Sequence, residues 1–338
     1  MTTTTSRDLT IVWTTALLVV VAATRLPAQR PPTPAPEARA VVVAGLPGIV
    51  AAGAEWTIAW QGTDNADGLI AADDGGVLFA QEQPSRVRKL DTDDRVSVLL
   101  EDTRGTGALA RDRTGRLLSV QRTCTDPGGK PSACQEPPAV AELSPTRRVL
   151  ADSYRGQPFG RLNDIIADNI GGSYVTVGGV YYVSPRGEVQ MVAEDIRSNG
   201  IILSLDERVL YVTNGEEILA FDREENGRTG NRRTFARLEA GGTGDGMALD
   251  GDGRLYVTSQ PGVQVFEPTG AYLGLIPTPR NAISVAFAGP GKQRLYVVGS
   301  GAIGADGREF QPPAGVRNNA KTIYRLPMIA RGIATRAK

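Results

Sequence analysis

Short apolar runs alternate with glycine- and aspartate-rich turns along most of the chain. Six segments share one pattern: a small polar residue, often followed by Gly, then about three apolar residues, a turn and a second β-rich run. These segments begin at Asp67, Thr106, Asn163, Asn199, Asp245 and Ser284. Each predicts two strands joined by a tight turn, because Val, Ile, Leu and Tyr favour strands whereas Gly and Asp favour turns.

The six copies recur at a nearly regular interval. Their first residues are 39, 57, 36, 46 and 39 positions apart, and further short strand pairs follow them, for example at residues 216–224 and 262–268. Four strands in about 40 residues are the unit of a propeller blade. The sequence therefore predicts an all-β fold, a six-bladed β-propeller over residues 41–328. A two-sheet sandwich has a comparable number of strands, but the repeat period favours the propeller.

Two further segments flank the repeats. Residues 55–60 (EWTIAW) precede the first copy, and residues 322–328 (TIYRLPM) follow the last. A closed ring needs a strand from one end of the chain to complete a blade begun at the other end. We therefore expect one of these two segments to supply the closing strand.

The N-terminal residues have the features of an export signal. Arg7 precedes an apolar run from Ala16 to Ala23, and a cleavage-site pattern follows at Leu26-Pro27-Ala28. This run is shorter than the ~20 residues of a membrane span, so residues 1–28 are predicted to be a signal peptide cleaved after Ala28. An uncleaved membrane anchor is the alternative. The body of the protein is expected to be exported in either case: periplasmic or secreted if the signal is cleaved, and membrane-anchored if it is not.

Outside the propeller, the sequence predicts two connecting segments and one cross-link. The Pro-rich residues 29–40 predict an extended linker, and residues 329–338 a basic C-terminal tail. Cys124 and Cys134 flank a turn-rich loop, and an exported compartment permits their oxidation to a disulfide. Two free thiols or a metal pair remain as alternatives.

Charge and composition exclude several function classes. Lys plus Arg (37) equal Asp plus Glu (37), so no basic surplus indicates nucleic acid or an anionic membrane as a partner. The chain has no His, which excludes Ser-His-Asp and Cys-His triads and His-ligated zinc. Any chemistry must therefore use carboxylates, amides, Lys, Tyr or Arg.

The first strand of every propeller blade lines the central channel, so the six opening residues are expected to form a ring. Each carries a side-chain oxygen, which suits a hard cation, calcium first and then magnesium or manganese. For Asp67, Asn199 and Asp245 we predict metal binding, because two acids converging in a narrow channel repel each other unless a cation neutralises them. Thr106 and Ser284 are predicted to open their strands as ordinary turn residues.

Four stretches carry a family resemblance. Residues 160–168 (GRLNDIIAD), 198–214, 244–270 and 283–298 resemble the family of gluconolactonase, regucalcin (senescence marker protein) and luciferin-regenerating enzyme. The resemblance extends from about residue 67 to residue 326. It implies a six-bladed propeller with one divalent cation in the channel, usually calcium, with magnesium, manganese and zinc as alternatives. Many members hydrolyse sugar lactones.

The resemblance also implies a ligand set for the cation. Asn199 and Asp245 match the family's Asn-Gly and Asp-Gly strings, and Asp67 stands where the family has a Glu, one methylene longer. Asn163 is a further candidate ligand within an Arg-x-Asn-Asp string. Thr106 occupies a position where some relatives have Asn.

The same Arg-x-Asn-Asp string implies a substrate site. Arg161 and Asn163 are predicted to contact substrate, with the planar guanidinium donating to ring or carboxylate oxygens. An ion pair between blades is the alternative role of Arg161. Asp164 is predicted to support Arg161 or the waters on the cation, with turn capping as its alternative.

Two functions follow as hypotheses. The first is a calcium-dependent lactonase, a carboxylic ester hydrolase in which the cation polarises the lactone carbonyl and Asp245 takes a proton from the attacking water. The second is a non-catalytic propeller, stabilised by its cation, that binds a small ligand or a protein.

Overall fold

The computed structural model describes residues 1–2, 37–122, 136–314 and 316–338. The predicted signal peptide and most of the linker lie outside the described residues, as do Cys124, Cys134 and their predicted disulfide. In the part that is described, no helix has both the length and the apolar character needed to cross a membrane.

Four-stranded antiparallel sheets account for nearly all strands of the described residues. The first strand, β1 (Thr57–Gly62), joins the last sheet. Blades 1 and 2 follow, each given from its inner to its outer strand: β2 (Asp67–Ala71), β3 (Val77–Gln81), β4 (Arg86–Leu90) and β5 (Val96–Leu100), then β6 (Thr106–Arg111), β7 (Leu117–Gln121), β8 (Ala139–Ser144) and β9 (Arg148–Ala151). A small hairpin, β10 (Ser153–Tyr154) and β11 (Gln157–Pro158), separates blade 2 from blade 3. It lies within the long 57-residue interval of the repeat.

The remaining blades repeat this order. Blades 3 and 4 consist of β12 (Ile165–Ala167), β13 (Ser173–Thr176), β14 (Val180–Val183) and β15 (Val189–Ala193), then β16 (Ser198–Leu203), β17 (Val209–Asn214), β18 (Glu217–Arg223) and β19 (Thr229–Arg237). Blade 5 consists of β20 (Met247–Leu249), β21 (Leu255–Ser259), β22 (Gly262–Phe266) and β23 (Tyr272–Pro277). Blade 6 takes β24 (Ala282–Ala288), β25 (Arg294–Ser300) and β26 (Lys321–Pro327), and β1 is its outer strand.

The inner strands of the six sheets form a closed ring. Contacts run from β2 to β6, β12, β16, β20 and β24, and β24 contacts β2 again. The chain is therefore a six-bladed β-propeller, as predicted. Both flanking segments enter blade 6, because β26 pairs with β25 on one side and with β1 on the other.

Six apolar clusters hold the ring together, each between two neighbouring blades. Strand β2 shows how the sequence produces them. Leu69 and Ala71 pack against blade 6, whereas Ile70 and Ala72 pack against blade 2. Successive side chains of a strand point to opposite faces, so a strand covered on both faces needs the continuous apolar run that the repeat contains.

The predicted basic tail folds against the propeller. The Gly332 amide donates to the Lys292 carbonyl at 2.9 Å, and the Ala71 amide donates to the Ala337 carbonyl at 2.8 Å. The Lys292 ammonium donates to the Ile333 carbonyl at 2.6 Å. Because Ala71 ends an inner strand, these bonds place the tail at the end of the channel where the inner strands finish. We call this end the lower mouth, and the end where the inner strands begin the upper mouth.

Candidate functional site

The opening residues of four blades meet in a pocket of about 320 Å³ at the upper mouth. Its lining includes all four predicted cation ligands and the predicted substrate arginine: Asp67, Asn163, Asn199, Asp245 and Arg161. A larger cleft of about 610 Å³ borders the outer part of blade 2 and contains none of these residues. The structure thus brings together side chains that are up to 178 positions apart in the chain.

Thr106 and Ser284 are absent from the pocket lining. Both side chains are buried, at 0% and 6% exposure. The Ser284 hydroxyl accepts a hydrogen bond from the Leu69 amide at 3.1 Å, which ties blade 6 to blade 1. The ring of oxygens open to the pocket is therefore contributed by blades 1, 3, 4 and 5.

Local irregularity marks the start of the inner strands in blades 1, 2, 4 and 6. The pairing register shifts between Asp67 and Ile70 in blade 1, and between Ser198 and Ile201 in blade 4. Such bulges redirect side chains and end regular pairing. The repeated glycine follows the polar residue because the next blade passes too close for a side chain: a Cβ on Gly68 would lie 2.5 Å from the Ala108 Cα.

Gly200 provides a test of this close approach. A Cβ at Gly200 would lie 2.0 Å from the Asp245 carbonyl oxygen, so Gly200→Ala must push blade 4 away from blade 5. Overpacking of this kind costs about 1–3 kcal/mol, and we expect urea unfolding to report that loss. Gly230→Ala in β19 of the same blade is the matched control, because nothing lies within 4 Å of its added Cβ. Equal stability of the two variants would contradict the close approach.

Hydrogen bonds connect the amides of the pocket. The Asn163 Nδ2 donates to the Asn199 Oδ1 at 2.7 Å, and Asn199 also hydrogen-bonds the Asp245 carboxylate. The Asn199 backbone carbonyl accepts a bond from the Thr176 hydroxyl at 2.6 Å. These contacts fix the orientation of the Asn199 side chain, with an oxygen lone pair still free for a further ligand.

The two carboxylates of the pocket are electrostatically crowded. Burial raises the pKa of Asp67, an effect that the Arg122 guanidinium opposes. Burial raises the pKa of Asp245 well above its usual range, and the negative charges of Asp67 and Asp164 add to this rise. Removal from water and like charges both disfavour the ionised carboxylate. A cation between Asp67 and Asp245 would favour the ionised form of both carboxylates and so lower the pKa of each.

The donors of the pocket fit a divalent cation. Two carboxylates and two amide oxygens, without sulfur or imidazole, are the ligand types that calcium and magnesium prefer. No group of three or more acidic, Cys or His side chains able to hold a metal occurs among the described residues. Any cation here would therefore depend on Asn163 and Asn199 as well as on Asp67 and Asp245.

Glu82 at the end of the second strand of blade 1 is a functional candidate that the sequence analysis missed. Its carboxylate accepts two bonds from Arg161, at 2.5 and 2.6 Å, and one from Arg122 at 3.2 Å. Its side chain is 1% exposed, whereas that of Arg161 is 32% exposed and lines the pocket. Glu82 thus holds the Arg161 guanidinium at the pocket wall. Arg161 therefore forms the ion pair that was the alternative to its predicted role, and it also lines the pocket where that role would place it.

Arg122 lies among the donors as well. Its guanidinium is 3.6 Å from the Asp67 carboxylate and donates to the Asn163 Oδ1 at 3.0 Å. The side chain is 3% exposed. It passes over Gly107, where any Cβ would lie 2.0 Å from the guanidinium carbon. The glycine of the second copy therefore makes room for the Arg122 side chain. Blade 2 thus contributes a guanidinium to the pocket, whereas blades 1, 3, 4 and 5 contribute side-chain oxygens.

Asp164 lies beneath the pocket and is buried. One carboxylate oxygen accepts a bond from the Ile165 amide at 2.8 Å and the other from the Ile201 amide at 3.2 Å. Both oxygens also accept a bond of 2.6 Å from the Lys338 ammonium. Asp164 therefore caps the start of its strand, which was the alternative role, and connects blades 3 and 4 to the tail.

Comparison with known proteins agrees with this architecture. The family profile described as "SMP-30/Gluconolactonase/LRE-like region" matches residues 69–301, more than half of the chain. The chain belongs to this family. Asn163, Asn199 and Asp245 lie inside the matched range, whereas Asp67 precedes it by two positions and Lys338 follows it.

Individual relatives carry lactonase names. A gluconolactonase of Zymomonas mobilis is 29% identical over 196 residues, which are 48% of this chain and 55% of that protein. A pentonolactonase of Haloferax volcanii is 29% identical over 187 residues, 51% of this chain and 64% of that protein. The chain thus spans about half to two thirds of the length of these curated relatives.

A solved structure shows the same fold. The gluconolactonase of Xanthomonas campestris superposes with a TM-score of 0.68 and 24% identity, covering 89% of this chain and 99% of that one. At this identity the likeness concerns the propeller fold.

Proposed function

We propose that the protein is a divalent-cation-dependent lactonase that opens a sugar lactone or a related ester. The observation that carries the proposal is the convergence of Asp67, Asn163, Asn199 and Asp245 with Arg161 in one pocket of about 320 Å³. Lactonases among the relatives of the chain support the reaction class.

Asp67, Asn163, Asn199 and Asp245 would hold the cation, and we propose calcium because all four offer oxygen. A bound divalent cation supplies Lewis acidity toward a carbonyl oxygen and lowers the pKa of water. The protein would contribute the remaining functions through groups already fixed in position. Their arrangement before substrate arrives reduces the entropic cost of the reaction.

Each polar group of the pocket has a role in this proposal. Asp245 accepts the proton of the attacking water, because its carboxylate faces the pocket and is oriented by Asn199. Arg161 donates to ring or carboxylate oxygens of the substrate, and Glu82 keeps its guanidinium in place from behind. Asn163 would help to hold the cation and would also contact the substrate.

One observation favours the second candidate, a binding propeller without catalysis. The Arg122 guanidinium already donates to the Asn163 oxygen and lies 3.6 Å from the Asp67 carboxylate. It supplies part of the positive charge that a cation would otherwise bring to these two donors. Because Arg122 already neutralises part of the negative charge of the pocket, the pocket can bind a polar ligand without a metal ion and without catalysing a reaction.

The test is cation removal and return. Protein that has been treated with chelator is assayed for proton release from a panel of sugar lactones, with and without added calcium, and its unfolding temperature is measured in parallel. We expect hydrolysis only with calcium and a higher unfolding temperature when calcium binds, because a ligand of the native state stabilises it. Stabilisation by calcium without hydrolysis of any lactone would favour the binding propeller. Absence of both effects would overturn the proposed cation site.

Export to the periplasm or the medium stays a prediction from residues 1–28, which lie almost entirely outside the described part of the chain. Sequencing the N-terminus of the protein recovered from its producing cell would test it: a first residue of Gln29 is expected.

A further inference from the structure

The last residues of the chain reach into the propeller channel from below. Ala334 to Ala337 line a cavity of about 310 Å³ at the lower mouth, together with the ends of several inner strands. The Ala71 amide holds the Ala337 carbonyl at 2.8 Å, and the Arg336 guanidinium donates to the Leu203 carbonyl at 2.9 Å. The tail is therefore bonded to blades 1 and 4 on opposite sides of the ring.

Lys338 continues from this anchored tail toward the pocket. Its ammonium donates to both carboxylate oxygens of Asp164 at 2.6 Å, and its side chain is only 5% exposed. Asp164 directly follows Asn163, and its charge acts on both Asp67 and Asp245. A cationic side chain from the end of the tail thus occupies the channel just beneath the oxygen ring.

The buried carboxylates of the channel are paired with cationic side chains to different extents. Glu82 is paired with Arg161 and Arg122, and Asp164 is paired with Lys338. Asp67 lies 3.6 Å from the Arg122 guanidinium and interacts with the charge of Lys321, which also lines the pocket, whereas Asp245 hydrogen-bonds the neutral Asn199. Without Lys338, three carboxylates would share the region around the ring, and Asp164 would become a competing cation ligand or a source of additional negative potential.

We propose that Lys338 is an internal counter-ion of the channel: by neutralising Asp164 it leaves Asp67 and Asp245 as the carboxylates that attract a divalent cation, and so limits the affinity of the ring for that cation. Lys338 acts through Asp164 and is a positioning residue. The proposal rests on the cation site of the proposed function, but it concerns binding and does not depend on hydrolysis.

A charge cycle tests the proposal by titrating calcium into the metal-free full chain in a calorimeter. Lys338→Met leaves Asp164 unpaired, and we expect calcium to bind on the order of tenfold more tightly, because a positive charge near the ring is removed. Asp164→Asn leaves the ammonium unpaired, and we expect binding on the order of tenfold weaker. The double variant removes both charges and should bind within about threefold of the unmodified protein. Lys338→Arg keeps the charge and is the conservative control.

A different result is expected if Lys338 only stabilises the packing of the tail in the channel. Loss of packing or of the ion pair would weaken calcium binding in both single variants, and this result would overturn the proposal, as would unchanged affinity in both. Absence of calcium binding by the unmodified protein would also overturn it. If Lys338→Met does not fold, Asp164→Asn and the double variant decide: weaker binding in the first and recovery in the second support the proposal, and any other pair of results contradicts it. Because hydrolysis is not measured, an inactive protein that binds calcium leaves this test intact while the lactonase proposal fails.

Discussion

Asp245→Asn is expected to lower kcat/KM for lactone hydrolysis by about 10²–10⁴-fold, the usual contribution of a positioned general base. The amide keeps the size of the side chain and its place beside Asn199, but it cannot accept the proton of the attacking water. Proton release from the best lactone of the panel, measured at saturating calcium, reports the loss.

Asp252→Asn is the matched control for this prediction. Asp252 lies in the turn of the same blade, its side chain is 75% exposed, and it pairs with Arg254 outside the pocket. We expect it to keep full activity. Equal rates in the two variants would contradict a catalytic role for Asp245.

The stability of Asp245→Asn separates loss of chemistry from loss of fold. Because the pKa of Asp245 is raised in the folded protein, its ionisation is easier in the unfolded chain, and above the usual pKa range this carboxyl destabilises the metal-free fold. An uncharged amide removes that penalty. At neutral pH, and without calcium, the variant is therefore expected to unfold at the same or a higher temperature than the unmodified protein.

Glu82→Gln is expected to have the largest effect on stability. The Glu82 side chain is 1% exposed and that of Arg122 3% exposed, so the substitution leaves a buried guanidinium without its nearer carboxylate. Breaking a buried ion pair by removing one partner costs about 3–5 kcal/mol. Arg161 also loses one of its two short bonds, because the Gln amide keeps a single acceptor oxygen and presents an NH2 group in place of the other. We therefore expect lower unfolding free energy in urea together with a higher KM for the lactone.

Glu217→Gln provides the comparison for Glu82→Gln. Glu217 pairs with Arg237, whose side chain is 67% exposed, and an exposed pair of this kind contributes about 0–1 kcal/mol. A loss of similar size in both variants would show that Glu82 is no more than another surface ion pair. A change in stability without any change in KM would remove Glu82 from the substrate site.

The sequence was sufficient to predict the ring because the ring is periodic. The six opening positions occupy equivalent places in equivalent blades. The spacing of Asp67, Asn199 and Asp245 in the sequence therefore predicts that their side chains converge in the channel. Thr106 and Ser284 were predicted to be ordinary turn residues, but the Ser284 hydroxyl bonds the Leu69 amide of the neighbouring blade, a contact between distant segments that the repeat pattern does not indicate.

Features outside the repeat could not be predicted in this way. Glu82 directly follows the second strand of blade 1 and is 79 residues from Arg161, and Lys338 is 174 residues from Asp164. No local pattern distinguishes these charges from solvated ones, because their partners are set only when blades and tail assemble. The tail was predicted from composition as basic, but its position in the channel depends on backbone bonds to Ala71 and Lys292 and on side-chain bonds to partners far away in the sequence.

Blade 6 has a consequence for the order in which the chain can fold. Its outer strand β1 and its third strand β26 are joined at Thr57 and Arg325, 268 positions apart. Blades 1 to 5 contain only sequential neighbours, so they can form as the chain is synthesised, but ring closure must wait until residue 327 is available. Contacts of such long separation slow folding. The pocket needs Asp67 of blade 1 and Asp245 of blade 5 at a fixed distance from each other. It is therefore expected to form only after ring closure, the last step in folding, which requires the chain up to residue 327.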